Sequence, residues 1–217
     1  MTLDLSIYLV TDSGQAQRRG RSLIDTVSAA VAGGVTIVQV REKHAEAREI
    51  LALVEELTER LPARIPVLIN DRVDIFQVAR ARGVPVAGIH LGQRDLPVDP
   101  VRRLIGEDAV LGLSAGSAVE LAIAQNSPAR IDYVGIGPVH PTVSKANAAA
   151  PMGIAEVARL ASTCALPAVA IGGLSAVDLP PLRAAGLAGA AVVSEICAAP
   201  EPFAAAAALA AAWQEAA

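Results

Sequence analysis

Between residues 35 and 43 the chain runs Val-Thr-Ile-Val-Gln-Val and then Arg-Glu-Lys. The β-branched residues Val35, Thr36, Ile37, Val38 and Val40 predict a strand. The turn to charge at Arg41, Glu42 and Lys43 puts polar groups at its exit. The same device recurs along the chain. Strands are predicted over residues 5–10, 35–40, 67–69, 86–91, 110–113, 133–136, 168–171 and 190–193. Their other exits are Thr11-Asp12, Asn70-Asp71, residues 90–95, Ser114, residues 137–145, Gly172-Gly173 and Val193-Ser194. Between them, helical periodicity predicts helices at 22–32, 45–61, 73–81, 98–105, 118–125, 154–162, 176–185 and 202–214. Ser22 is a candidate N-cap, and Gly33-Gly34 stops the first helix. Residues 11–21, with Arg18, Arg19 and Arg21, read as a long polar loop. Eight β/α units of about 25 residues predict an α/β fold, a single (β/α)8 TIM barrel over residues 1–217. An open doubly wound sheet is the alternative, but no Gly-x-Gly-x-x-Gly follows the first strand.

Composition supports this architecture. The chain is 53% hydrophobic and only 2% aromatic. Small and β-branched residues suit buried parallel strands under Ala-rich helices. Few rings make a poor platform for single-stranded nucleic acid, and a net charge of −4 argues against a general polyanion binder. Cys164 and Cys197 form no Cys-x-x-Cys or Cys/His cluster, so both read as small apolar residues. No N-terminal signal is evident, and no apolar run approaches the roughly 20 residues of a membrane span. The expectation is a cytoplasmic chain with small-molecule partners, no nucleic acid and no membrane. Barrel enzymes commonly form symmetric dimers, so a homodimer is allowed but not fixed.

The candidate chemistry lies at the strand exits. Asp71 and Asp95 follow adjacent strands three and four. Two carboxylates there could bridge a hard cation such as Mg²⁺; equally, Asp71 could cap the next helix and Asp95 a turn. Lys43 and Lys145 are the only lysines among 18 basic residues, and both fall in exit loops. A lysine there suits a phosphate, with solvated surface lysines as the alternative. Gly172-Gly173 and Val193-Ser194 occupy the place after strands seven and eight where many barrels bind phosphate, although a Gly-Gly pair also serves as a plain turn. His90, inside an apolar strand end, reads as a satisfied semi-buried histidine. His44 reads as solvated, and His140 lies in the long loop within reach of a substrate. The small-residue run at 146–150 in that loop would suit a lid.

Six segments, in order, resemble one family: Tyr8-Leu9-Val10-Thr11-Asp12, Gln39-Val40-Arg41-Glu42-Lys43, Asn70-Asp71-Arg72, His90-Leu91-Gly92-Gln93-Arg94-Asp95-Leu96-Pro97, Gly137-Pro138-Val139-His140-Pro141-Thr142-Val143-Ser144-Lys145 and Ala170-Ile171-Gly172-Gly173-Leu174. Together they look like thiamine-phosphate synthase. The resemblance implies a (β/α)8 barrel that joins 4-amino-2-methyl-5-(diphosphooxymethyl)pyrimidine to a thiazole phosphate and releases diphosphate with Mg²⁺. It implies that Gln39, Arg41, Lys43, Asn70, Ser114 and Lys145 hold the pyrimidine diphosphate, with Arg41, Lys43 and Lys145 catalytic. It implies Mg²⁺ on Asp71 and Asp95. Thr142, Ser144, Gly173, Val193 and Ser194 would hold the thiazole phosphate.

Charge agrees with that assignment: a diphosphate of about −3 and two aspartates are balanced by Mg²⁺ and three cations, leaving a site near neutral. Ser144 stands where the family often has Thr, Gly116 where it often has His, and Glu195 where a small residue is usual. Two other activities remain on this reading: a thiazole tautomerase of the same barrel family, and a non-catalytic binder of thiazole or thiamine phosphate.

Overall fold

The computed structural model describes residues 3–142, 144 and 149–215. Lys145 and part of the small-residue run at 146–150, both singled out in the sequence, lie outside the described residues. Eight parallel strands close on themselves in the order β1-β2-β3-β4-β5-β6-β7-β8. They are β1 (Ile7–Val10), β2 (Ile37–Val40), β3 (Val67–Asn70), β4 (Gly88–Leu91), β5 (Val110–Ser114), β6 (Tyr133–Ile136), β7 (Ala168–Ile171) and β8 (Gly189–Val192). The helices are α1 (Ser13–Arg18), α2 (Leu23–Ala32), α3 (Ala47–Arg60), α4 (Val73–Ala81), α5 (Val98–Ile105), α6 (Ala118–Gln125), α7 (Gly153–Ser162), α8 (Leu179–Ala184), α9 (Ser194–Cys197) and α10 (Pro202–Glu215).

Side chains alternate across each strand, so the barrel has two cores. Ile7, Leu9, Val38, Val40, Val67 and Ile69 face the helices. Tyr8, Val10, Ile37, Leu68, Tyr133 and Val169 fill the interior. Both faces are covered, which is why the strands read as unbroken apolar runs.

Several predicted boundaries shift. The strands predicted from residues 5, 35 and 86 begin at Ile7, Ile37 and Gly88, because the flanking apolar residues Leu5, Val35 and Val86 are buried outside the ladder. The segment expected as a polar loop contains α1. Asp12 caps it, its Oδ1 accepting from Gln15 N–H at 2.9 Å, and Gln15 and Ala16 are buried. The helix predicted at 176–185 is a 3₁₀ turn (Ala176–Asp178) followed by α8, with Pro180 and Pro181 in its first turn. The Ser22 cap is present, its Oγ accepting from Asp25 N–H at 3.0 Å.

One buried cation braces the chain away from the strand exits. Arg102 on α5 is 3% exposed. Its guanidinium donates to the carbonyls of Ala129 (2.8 Å), Gly106 (2.9 Å), Ala109 (2.6 Å) and Arg130 (2.8 Å), and to Asp132 Oδ2 (3.0 Å). It satisfies loop carbonyls that would otherwise be buried without donors. Arg102→Ala is expected to cost about 3–5 kcal/mol of stability, the usual penalty for breaking a buried charged network. Chemical denaturation reads this as a lower midpoint; an unchanged midpoint would contradict the bracing role.

Candidate active site

The inward positions near the C-terminal strand ends are polar where the rest of the interior is apolar. Gln39 ends up inside on β2, Asn70 on β3, His90 on β4 and Ser114 on β5. The pairing Asn70↔His90 sets two of them side by side. These residues open into a cavity of ≈ 850 Å³. Its wall includes every site residue named from the sequence that the structure describes: Gln39, Arg41, Lys43, Asn70, Asp71, Asp95, Ser114, Thr142, Ser144, Gly173, Val193 and Ser194.

On one side stands a basic and acidic wall. Arg41 is positioned by its own N–H, which donates to Thr11 Oγ1 at 2.9 Å. Next to it, Glu42 Oε1 accepts from Ser13 Oγ (2.6 Å) and Ser13 N–H (3.3 Å), tying the loops after β1 and β2 together. Arg41 Nη2 is buried and has no hydrogen-bond partner among the described residues. A buried guanidinium N–H without an acceptor is costly unless an anion supplies one.

Asp71 does not cap α4, whose N-cap is Arg72 with no side-chain cap bond. Its backbone sits at φ 61°, and its Oδ2 accepts from Asn70 Nδ2 at 2.6 Å. Asp95 does close a turn, its Oδ2 accepting from Gly92 N–H at 2.8 Å. The two carboxyl groups also face each other. Burial, then the hydrogen bond and repulsion from Asp95, push the Asp71 carboxyl up to about 6, against the opposing pull of Asn70 and Lys43. Two facing carboxylates that repel each other form a cation-seeking pair. One or two carboxylates, with waters and phosphate oxygens, are the usual protein share of a Mg²⁺ site, so these residues fit the ion.

The opposite side carries hydroxyls. Ser144 Oγ lies 2.9 Å from Ser194 Oγ, and Ser144 N–H donates to Thr142 Oγ1 at 3.3 Å. Gln15, which the sequence reading missed, donates from Nε2 to Ser144 Oγ (3.3 Å) and Asp12 Oδ2 (3.0 Å). Gly173 closes this side. It has φ 66°, and a Cβ there would lie 2.7 Å from Pro141 O, so only glycine lets the β6–α7 loop pass so closely. Glu195 is exposed at the rim. Gly116 N–H donates to Glu120 Oε2 at 2.7 Å. His140 is anchored away from the basic wall by Asp178, Nε2 to Oδ1 2.8 Å. His44 is exposed, as expected. Cys197 is buried, and burial pushes its thiol up to about 12, which fits an inert packing residue; Cys164 is only partly buried.

The fold and cavity define a (β/α)8 barrel whose mouth sets a basic and acidic wall against a hydroxyl-lined one. Residues 7–196 match the thiamine monophosphate synthase family, and the chain belongs to that family. It is 46% identical over 199 residues to the thiamine-phosphate synthase of Azorhizobium caulinodans, covering 91% of this chain and 90% of that one. It is 42% identical over 202 residues to the thiamine-phosphate synthase of Corynebacterium efficiens, covering 93% and 91%. Among solved structures, thiamine phosphate pyrophosphorylase from Pyrococcus furiosus superposes with a TM-score of 0.83 at 27% identity, covering 99% of this chain and 98% of that one. Among the described residues, no helix is long and apolar enough to cross a membrane.

The carboxylate pair makes a stability prediction. The penalty on ionised Asp71 grows as pH rises from the ordinary carboxylate range and is fully present above about 6. Asp71→Asn removes the charge and keeps a residue that tolerates positive φ. At pH 8, without added metal, it is expected to raise Tm; solvent screens a partly exposed pair, so the rise is small, about 1–3 °C. The gain disappears as pH falls towards 4. A lower Tm at pH 8 would contradict the repulsion.

Proposed function

We propose that this chain condenses 4-amino-2-methyl-5-(diphosphooxymethyl)pyrimidine with a thiazole phosphate, giving thiamine phosphate and diphosphate. One observation carries the reading. Arg41, whose buried Nη2 has no hydrogen-bond partner among the described residues, shares a wall with Lys43 and the facing Asp71 and Asp95, and a cluster of hydroxyls lies across the cavity. The first wall suits a diphosphate, the second a phosphate monoester. In the reaction the C–O bond to the diphosphate breaks, and its electron pair leaves with the diphosphate. The amino-pyrimidine delocalises the positive methylene left behind, and the thiazole nitrogen lone pair forms the new C–N bond. No proton needs to move before the bond breaks.

Arg41 and Lys43 are the groups that take up the developing negative charge, and Lys145 joins them in this reading. Mg²⁺ held by Asp71 and Asp95 would supply further neutralisation of the leaving group. Positioning by Gln39, Asn70 and Ser114 on one substrate, and by Thr142, Ser144, Gly173, Val193 and Ser194 on the other, lowers the entropic part of the barrier. Electrostatics on fixed charges supply most of the rest.

The test is diphosphate release from the pyrimidine diphosphate, with and without thiazole phosphate and Mg²⁺. Release is expected only when both are present. Asp95→Ala is expected to lower kcat about 100-fold or more, comparable with loss of a principal charge-stabilising group. A folded sample that releases no diphosphate under any condition would overturn the reading in favour of tautomerisation or ligand sensing.

A further inference from the structure

A hydrogen-bond chain crosses the floor of the cavity. Gln39 Nε2 donates to Tyr8 Oη at 2.7 Å. Tyr8 Oη lies 2.6 Å from Tyr133 Oη, which lies 2.8 Å from His90 Nδ1. His90 Nε2 lies 3.0 Å from Ser114 Oγ. The middle members are buried, Tyr8 and Tyr133 at 1% exposed and His90 at 9%. They are the only two tyrosines of an aromatic-poor chain and one of its three histidines. The neighbouring strand makes room for them: a Cβ on Gly112 would lie 2.2 Å from Tyr133 Cζ.

Each hydroxyl owns one proton, and a buried one needs an acceptor, so once Gln39 donates to Tyr8 a single running order satisfies every donor of the relay. Gln39 Nε2–H donates to Tyr8, so Tyr8 donates its own proton to Tyr133. Tyr133 then donates to His90 Nδ1, which leaves the ring proton on Nε2, and Nε2–H donates to Ser114 Oγ. Burial pushes both phenols above their ordinary range, so both keep their protons. At the two ends, Gln39 is left with Oε1 as an acceptor, and Ser114 still has its hydroxyl proton to donate.

We infer that Tyr8, Tyr133 and His90 are positioning residues that polarise this relay, fixing Gln39 as an acceptor and Ser114 as a donor, so that the site selects an amino-bearing pyrimidine over its 4-oxo analogue. The inference rests on the proposed condensation. An exocyclic amino group donates to Gln39 Oε1, and a ring nitrogen or a diphosphate oxygen accepts from Ser114. Accepting from the amino N–H also strengthens its electron donation to the developing cation. An oxo group would set a carbonyl against Oε1. Turning the Gln39 amide round to suit it would reverse every bond of the relay and commit the Ser114 proton to His90, away from the anion. The two ends therefore choose their partners together.

The test uses the full chain, its Tyr133→Phe and Tyr8→Phe variants, and the amino and 4-oxo pyrimidine diphosphates. Wild type is expected to prefer the amino compound by about 10⁴ in kcat/KM, the discrimination of sites that hydrogen-bond a substrate group. Each Phe variant lets the Gln39 amide turn, and the ratio is expected to fall about 10- to 100-fold. A merely structural role would lower both substrates equally. The second variant covers a failure of the first to fold. Separately, ¹⁵N NMR of substrate-free protein, assigned with His44→Gln and His140→Gln, is expected to show His90 protonated at Nε2 and bare at Nδ1. A His90 proton on Nδ1 overturns the polarity, and an unchanged ratio in both variants overturns the selectivity. A wild type inactive toward both pyrimidines overturns the proposed function and the selectivity that rests on it, while the His90 spectrum still decides the relay.

Discussion

Asp71 and Asp95 repel each other at the mouth of the barrel, and the fold holds them there. Left to itself, a chain would separate two such carboxylates. The closed sheet brings them together, because β3 and β4 are paired neighbours and their exits lie side by side. Burial first, then the hydrogen bond and repulsion from Asp95, push the Asp71 carboxyl up to about 6, and its backbone is held at φ 61°. Strain of this kind persists only where the surroundings over-determine it. Those surroundings are the two apolar cores, which fix each strand from both sides.

Arg41 is the counterpart on the same wall. Its Nη2 is buried and has no hydrogen-bond partner among the described residues, a position that suits an anion, as the carboxylate pair suits a cation. On the proposed function, a metal-bound diphosphate would answer both charges at once. Preorganised charge of this sort does not have to rearrange when the leaving group departs. The hydroxyl wall needs no such tension. Gln15, itself tied to Asp12, holds Ser144, and Ser144 meets Ser194, in a hydroxyl cluster that on the proposed function would take a phosphate monoester.

The architecture was readable because strands buried on both faces leave long β-branched runs, and because charge interrupts those runs at each exit. The same interruptions exposed Arg41, Lys43, Asn70, Asp71 and Asp95. Residues without that contrast escaped. Helix α1 was hidden by a polar sequence containing Gly14, and only its packing and the Asp12 cap make it a helix. Tyr8 and Tyr133 passed as strand filling, since a phenol inside an apolar run looks like any other large residue. Their parity could have marked them: Tyr8, Gln39, His90 and Ser114 all fall on inward positions, where a buried hydroxyl needs a partner. His90 was rightly read as satisfied, but its partners could be known only once β4, β5 and β6 were side by side.

The proposed condensation requires the diphosphate to seat against Arg41 and Lys43 with a divalent ion on the carboxylate pair. Anomalous diffraction from crystals grown with Mn²⁺ and diphosphate tests that directly. The expected map has one Mn²⁺ peak bridging Asp71 and Asp95, with diphosphate oxygens on the ion and on Arg41. A diphosphate bound away from this wall, or Mn²⁺ on neither carboxylate, would contradict it.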